Sequence, residues 1–201
     1  MKKSLKRLCI DSATKFLYIA LYDNNECLGK YYSAGSNDHS VQLMINIEKI
    51  LKNKKVKVRD LDEIDVGVGP GSYTGLRIGV VVAKMFGWND NIDVFTVSSL
   101  ALIASSSDQE TLLLSEIDAI RGNSFLGLYK QEKQLLSLVD SEKLVSLEEY
   151  KNSIKDEFVS ISFGEPNFIK CIQSGLPIKV EDIHSLNPNY LRLTEAERNL
   201  T

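Results

Sequence analysis

The pattern of hydrophobic and polar residues predicts three short strands at the start of the chain. Segments 7–14, 16–22 and 27–33 are runs of β-forming residues, and a polar cluster at 23–25 separates the last two. Short apolar runs bounded by polar turns are typical of strands joined by hairpins. We therefore expect an antiparallel meander whose first strand ends near Asp11.

Helical periodicity follows this meander and alternates with further strands. Apolar residues spaced three and four positions apart predict helices at 39–52, 72–88 and 98–106. Strands at 64–68 and 92–97 lie between these helices. The first half of the chain is thus predicted to have the order β-β-β-α-β-α-β-α.

The second half repeats this order in shortened form. Segment 117–129 matches segment 10–22 at the same spacing, with Phe125 at the position of Tyr18. Repetition of the element order indicates an internal duplication. The elements predicted after this segment are a strand at 134–139, a helix at 146–154, a strand at 157–163 and a helix at 166–174.

Two β-β-β-α-β-α halves, each with an aspartate at the end of its first strand, predict the fold class. The two aspartates are Asp11 and Asp118. This is the layout of the actin-like (ASKHA, RNase H-like) α/β superfold, here with a trimmed second lobe. We predict an N-terminal lobe at 1–106 and a smaller C-terminal lobe at 107–201. The analogy concerns the fold and carries no function by itself.

The predicted helix at 39–52 has an unusually wide apolar face. Val41 and Ile45 widen the face beyond its main side. This width predicts one contact with the chain's own sheet and one with another surface, and a helix that is simply well covered is the alternative. The residues that share the main side, at about 100° per residue, are Leu43, Met44, Ile47, Ile50 and Leu51.

A stripe of small residues runs along the predicted helix at 72–88. Gly75, Gly79, Ala83 and Gly87 recur at every fourth position, and such a stripe lets another helix approach closely. The stripe can pack within the chain, against helix 39–52, or against another subunit. We predict that the outer face of this helix pair is a protein interface. Its expected residues are Val41, Met44, Ile45, Glu48, Gly75, Arg77, Ile78, Gly79, Val82 and Met85.

Segment 67–79 is rich in glycine and joins a predicted buried strand to a predicted helix. Helix starts in such loops attract anions, so a phosphate loop is one interpretation. Neither GxxxxGK[ST] nor GxGxxG occurs here, and a tight strand-to-helix connection is the other interpretation. The candidates for cofactor binding, in a loop without glycine, are Asp11, Ser12 and Thr14.

Composition and charge narrow the function classes. The chain has 201 residues and a net charge of −3, which argues against a broad basic face for nucleic acid. Segment 49–59 nevertheless holds six Lys or Arg residues, and four acids follow at once in segment 60–65. The neighbouring acids favour a solvated helix end and loop, and contact with RNA phosphates is the alternative.

The sequence lacks the familiar catalytic and metal-binding motifs. His39 and His184 form no HExxH pair, and no GxSxG is present. Three cysteines without a CxxC pair fit a reducing cytosol. No apolar run approaches the roughly 18 residues of a membrane span. We expect a cytoplasmic protein with no catalytic residue, no metal site and no membrane contact.

Residues 69–79, GPGSYTGLRIG, closely resemble the signature of the bacterial TsaB family, also called YeaZ. Further blocks that are similar to family blocks follow the same order along the chain. Together they span about residues 8–192. The supporting blocks are 10–14, 38–40, 97–100, 117–119 and 188–192.

This resemblance implies a non-catalytic subunit of the complex that places a threonylcarbamoyl group on the adenosine beside the tRNA anticodon. It implies a two-lobed actin-like fold, a catalytic TsaD-like paralogue as partner and a TsaE-like ATPase in the same complex. ATP and metal would belong to the partner subunits, no cofactor would bind tightly to this chain, and tRNA would be reached indirectly. Without its paralogue the chain is expected to form homodimers. The alternatives are a small ATP-dependent enzyme of the actin-like class and a metalloprotease, for which the sequence lacks ligands.

Overall fold

The first part of the chain forms a sheet that begins with the predicted meander. A computed structural model describes residues 4–34, 38–120 and 122–191. The first three strands are antiparallel neighbours, and the next two add parallel to the first strand, in the order β5-β4-β1-β2-β3. The meander is therefore confirmed. The strands are β1 (Lys6–Asp11), β2 (Phe16–Asp23), β3 (Glu26–Ala34), β4 (Glu63–Gly67) and β5 (Asp93–Val97).

A second sheet repeats the order of the first. Its strands lie in the order β8-β7-β6-β9, which corresponds to β3-β2-β1-β4, so the duplicated actin-like layout is confirmed. The second hairpin is one residue shorter, because Asp11 pairs with Tyr18 whereas Asp118 pairs with Ser124. The predicted matches of Asp118 with Asp11 and of Phe125 with Tyr18 therefore differ by one residue in register, although Tyr18 and Phe125 pack in the same core. The strands are β6 (Leu112–Asp118), β7 (Asn123–Glu132), β8 (Leu135–Ser146) and β9 (Phe158–Ile161).

In the described part of the chain, five α-helices connect these strands and cover the sheets. The predicted helices are all present, with small shifts at their ends. The prediction of a strand at 134–139 was too short, since β8 continues to Ser146 beside β7 with two register irregularities. The helices are α1 (His39–Asn53), α2 (Tyr73–Asp90), α3 (Ser99–Ser105), α4 (Leu147–Ser153) and α5 (Phe168–Gln173).

The two faces of the first sheet belong to different cores. Leu8 and Ile10 of β1 pack with the buried sides of α1 and α2, so both helices cover one face. Cys9, between them in sequence, packs with α3, α5 and the second sheet on the other face. This alternation follows from the two-residue period of a strand. The outer sides of α1 and α2 are consequently directed away from the body of the protein.

The last described part of the chain returns to the first lobe. A two-residue strand, β10 (Ile178–Lys179), pairs with β5, and Asn189 donates a backbone hydrogen bond to Val68 at 2.7 Å. Sequence periodicity did not predict that this segment pairs with the first sheet. The predicted division into lobes at 1–106 and 107–201 stays a prediction. Among the described helices, none is long and apolar enough to cross a membrane.

Candidate functional site

The glycine-rich connection between β4 and α2 lies against the loop that joins β1 to β2. The Ser72 amide donates to the Ala13 carbonyl at 2.7 Å, and the Ser72 hydroxyl accepts from the Gly75 amide at 3.3 Å. The chain passes through Gly69 at φ +107°, a conformation that favours glycine. Two amides at this helix start, those of Ser72 and Gly75, are thus bonded within the chain.

The small stripe of α2 faces this loop and the first sheet. A Cβ on Gly75 would lie 2.1 Å from the Ser12 carbonyl oxygen, and one on Gly79 would lie 2.7 Å from the Ser12 hydroxyl. Gly87 likewise lies against Val94 of β5. The stripe therefore packs within the chain, although against the sheet and loop and not against α1. Gly75 and Gly79 are buried and offer no surface to a partner, which corrects their place in the predicted interface.

The three candidate cofactor residues are held by bonds within the chain. The Asp11 carboxylate, 5% exposed, accepts from the Ser99 hydroxyl at 3.0 Å and from the Ala13 amide at 3.3 Å. Burial raises the pKa of Asp11 to about 6. The Ser12 hydroxyl donates to the Gly75 carbonyl at 2.8 Å, and the Thr14 hydroxyl accepts from the Phe16 amide at 3.1 Å. The described geometry gives these groups a structural role in closing the loop.

The outward sides of α1 and α2 expose a set of large apolar residues, which we call the outer helix surface. Met44, which belongs to the predicted interface, is exposed, because the buried side of α1 is formed by Leu43, Ile47, Ile50 and Leu51. Exposed apolar residues in such number on one pair of helices are typical of an interaction site. The apolar members are Val41 (56% exposed), Met44, Ile45, Val81 (60%), Met85 and Trp88 (67%).

The outer helix surface differs from the predicted interface list at Val82, Val81 and Trp88. Val82 is buried in the core beneath α2, which corrects its place in that list. Val81 and Trp88 were missed, although Val81 lies four residues after Arg77 and four before Met85. That spacing marks the side of α2 opposite the glycines and could have identified Val81. Ile78 is half-buried against the first core, and Glu48 is exposed on α1.

Arg77 ties the end of the described chain to the start of α2. Its guanidinium carbon lies 4.0 Å from the centre of the Tyr73 ring, and its Nε donates to the Tyr190 hydroxyl at 3.0 Å. The Tyr73 and Tyr190 rings stack with centres 4.9 Å apart. Stacked rings and a cation over a ring face are favourable contacts. These three side chains lie at the Tyr73 end of the outer helix surface.

The metal-ligating side chains are dispersed in the described residues. No group of three His, Cys, Asp or Glu side chains there is arranged to hold a metal ion. The His39 ring contacts the Thr14 carbonyl at 3.0 Å, whereas His184 lies beside Trp88. The two histidines therefore occupy separate places in the fold.

Comparison with known proteins gives one consistent family. A family model described as TsaD, tRNA N6-adenosine threonylcarbamoyltransferase, matches residues 33–195. The tRNA threonylcarbamoyladenosine biosynthesis protein TsaB of Bacillus subtilis (strain 168) is 32% identical, with 94% of this chain and 95% of that protein covered. TsaB of Buchnera aphidicola subsp. Schizaphis graminum is 25% identical, with 90% and 88% covered.

A solved structure shares the fold over almost the whole chain. YeaZ from Pseudomonas aeruginosa superposes with a TM-score of 0.78 and 19% identity, covering 93% of this chain and 100% of that one. At this level of identity the likeness concerns the fold alone. It agrees with the two sheets and the helix pair described above.

Proposed function

Since this chain belongs to the TsaB (YeaZ) family, we propose that it is a non-catalytic subunit of the complex that adds the threonylcarbamoyl group to tRNA. The observation that carries the proposal is the 32% identity to Bacillus subtilis TsaB over nearly the full length of both chains. The added group would lie on the adenosine beside the anticodon. The proposed work on tRNA would take place in the cytoplasm.

The closed loop around Asp11 supports a non-catalytic role. Catalysis needs a nucleophile, base or electrophilic group beside a space for the reacting atoms. Here the Asp11 carboxylate and the Ser12 hydroxyl are bonded inside the chain, and Gly75 and Gly79 fill the adjacent space with backbone. The same contacts give no support to the alternative of a small ATP-dependent enzyme. ATP and metal then belong to the partner subunits.

The outer helix surface supports docking of a TsaD-like paralogue. Its residues project from two packed helices, so the surface is rigid and costs little side-chain ordering on binding. A large exposed ring such as Trp88 is the kind of side chain that dominates binding energy when a partner covers it. A specific contact here should bury more than about 1,000 Å² in total.

The proposed role as a complex subunit has two further consequences, a homodimer of the isolated chain and an ATPase in the complete complex. In the absence of the paralogue, the same surface on two copies would meet through an isologous contact, and the chain would form a homodimer. A TsaE-like ATPase would join the assembled complex and supply the nucleotide chemistry. Because both contacts would use the outer helix surface, a second copy of the chain and the paralogue would compete for it.

Reconstitution tests the function directly. Unmodified tRNA, the paralogue, the ATPase and the threonylcarbamoyl-adenylate donor are incubated with and without this chain. We expect modification to require the chain, and the pure chain to hydrolyse no ATP and cleave no peptide. Full modification without the chain, or ATP turnover by the chain that Asp11→Asn abolishes, would refute the proposal.

A matched pair of variants tests the surface. Ile45→Glu together with Val81→Glu places charge on the outer helix surface, and Leu138→Glu places it on an exposed apolar residue of β8. We expect the first variant to lose both homodimer and paralogue binding with an unchanged melting temperature. The Leu138 variant should keep both, and loss of binding in both variants would contradict a specific surface.

A further inference from the structure

The structure separates the basic segment at 49–59 from the acids that follow it in sequence. The Asp62 carboxylate accepts from the Lys6 amide at 2.8 Å, on β1. Glu63 and Asp65 both pair with Arg7, at 2.6 Å and 3.0 Å. These three acids are held at the start of β1 by partners 56 or 58 residues earlier in the chain. The three carboxylates therefore interact with the start of β1 and do not neutralise the basic side chains of segment 49–59.

The cations themselves remain exposed. Within the described residues, none of the six side chains lies in an ion pair. The exposed acids adjacent to the segment in sequence are Glu48 and Asp60, and the Asp60 carboxylate accepts from the Lys57 amide at 2.8 Å. The cations, which we call the basic patch, are Lys49, Lys52, Lys54, Lys55, Lys57 and Arg59.

Local packing makes the second half of the patch project outward. α1 ends with two reversing hydrogen bonds, from Lys55 to Lys52 and from Val56 to Leu51. Val56 and Val58 then pack against the first core, whereas Lys55, Lys57 and Arg59 are exposed. The alternation holds the backbone to the protein and directs the cations into solvent.

Helix stability alone does not account for this concentration of charge. Cations near the end of a helix interact favourably with its dipole, but that effect is confined to the last turn. A quarter of the 24 Lys and Arg residues of the chain lie in these 11 positions. Crowded like charges repel one another in the free protein. A polyanion would relieve this repulsion.

The basic patch lies next to the outer helix surface along α1. Lys49 lies four residues after Ile45, and Lys52 lies four after Glu48, so α1 carries both features on one side. A paralogue docked on the outer helix surface would sit beside the patch. An RNA held by that paralogue would pass within reach of the cations.

We infer that the basic patch binds the phosphate backbone of the tRNA substrate directly. This rests on the proposed function, and it replaces the expectation that tRNA is reached only through other subunits. The patch supplies point charges without aromatic side chains, so it positions RNA by its backbone and does not read bases. Binding should release counterions and weaken as salt rises.

Charge reversal tests this inference against a matched control. Lys55→Glu with Lys57→Glu alters the patch, and Lys133→Glu with Lys155→Glu makes the same change in net charge on the second lobe. Lys55 and Lys133 both have a positive φ, at 56° and 53°, so these two positions are also matched in backbone. Affinity for an unmodified substrate tRNA transcript is measured for the complex of full chain and paralogue across a salt series.

The patch variant should bind tRNA about tenfold more weakly, and its slope of log affinity against log salt should be shallower by about 2, one for each lost phosphate contact. The control pair should match the wild type, and Lys→Arg at the two patch positions should retain binding. Equal losses in both pairs, or no loss in either, would overturn the inference. So would loss of paralogue binding by the patch variant with tRNA affinity intact, since the occupant would then be an acidic protein surface.

The same experiment distinguishes this inference from the proposed function. If wild-type chain binds the paralogue and supports modification while the patch variant behaves identically, the inference alone fails. If wild-type chain neither binds the paralogue nor affects modification, the proposed function fails, and the inference fails with it.

Discussion

Replacing Gly75 by Ala tests the packing of α2 on the β1–β2 loop most sharply. The new Cβ would lie 2.1 Å from the Ser12 carbonyl oxygen. Relief to an acceptable contact of about 3 Å needs a shift of roughly 0.9 Å between helix and loop, which a close-packed interior resists. The shift would strain the bonds from Ser12 to Gly75 and from Ser72 to Ala13, now at 2.8 Å and 2.7 Å.

Two opposing effects set the size of the loss. Overpacking typically costs about 1–3 kcal/mol, and each weakened buried hydrogen bond adds about 1 kcal/mol. Alanine regains up to about 1 kcal/mol of helix propensity over glycine. The net expectation is a loss of about 2 kcal/mol, which corresponds to a fall in melting temperature of about 4–8 °C for a chain of this size.

Thermal unfolding followed by circular dichroism measures this loss, and Thr74→Ala is the control. Thr74 is exposed in the same turn, so its replacement should leave the melting temperature nearly unchanged. Folded Gly75→Ala protein should still bind the paralogue, because the stripe faces the chain's own loop. A variant as stable as the wild type that no longer binds the paralogue would refute this packing and restore the stripe to the interface.

Three other outcomes are expected. Trp88→Ser should weaken paralogue binding by about tenfold or more without lowering the melting temperature, since the ring is 67% exposed; unchanged affinity in calorimetry would remove Trp88 from the interface. Lys55→Gly should raise the free energy of unfolding by about 1 kcal/mol in urea titration, because Lys55 has φ +56° where glycine is favoured, yet it should weaken tRNA binding. A destabilised Lys55→Gly variant would contradict this account of the end of α1. Burial raises the pKa of Asp11 from 3.8 to about 6, so the folded state holds this proton more tightly than the unfolded chain, and stability falls as pH rises through this interval. Asp11→Asn should flatten that dependence and gain up to about 3 kcal/mol at pH 7; an unaltered pH profile for Asp11→Asn would show that Asp11 has an ordinary pKa.

Local patterns were sufficient for most of the secondary structure. The meander and the helices depend on periods of 2 and 3.6 residues and on turn residues between them, all of which lie within short windows of sequence. The duplication was also visible from the order of elements, although the matches at Asp118 and at Phe125 do not share one register. Register depends on hairpin length, which the spacing of similar residues did not reveal.

Local sequence patterns predicted less of the candidate site than of the secondary structure. The sequence showed a small stripe on α2 but not its neighbour, because Ser12 lies 63 residues before Gly75 and meets it through the close approach of α2 to the β1–β2 loop. On an ideal helix Met44 shares the main apolar side of α1 with Leu43 and Ile47, although it also belongs to the predicted interface. Its exposure depends on where α1 rests on the sheet, and this follows from the packing of Leu43 and Ile47 against the core.

The sequence alone determined the element order, the duplicated layout and the family signature at 69–79, since each is carried by residues close together in the chain. Which side chains neutralise one another follows from the tertiary fold. In sequence, the acids at 60–65 directly follow the basic segment, and this order favours neutralisation of the basic side chains by the acids. In the fold, β4 pairs with β1, so Glu63 and Asp65 meet Arg7 and the basic patch is left exposed. Electrostatic interaction depends on distance in space, and strand pairing sets that distance independently of separation along the chain.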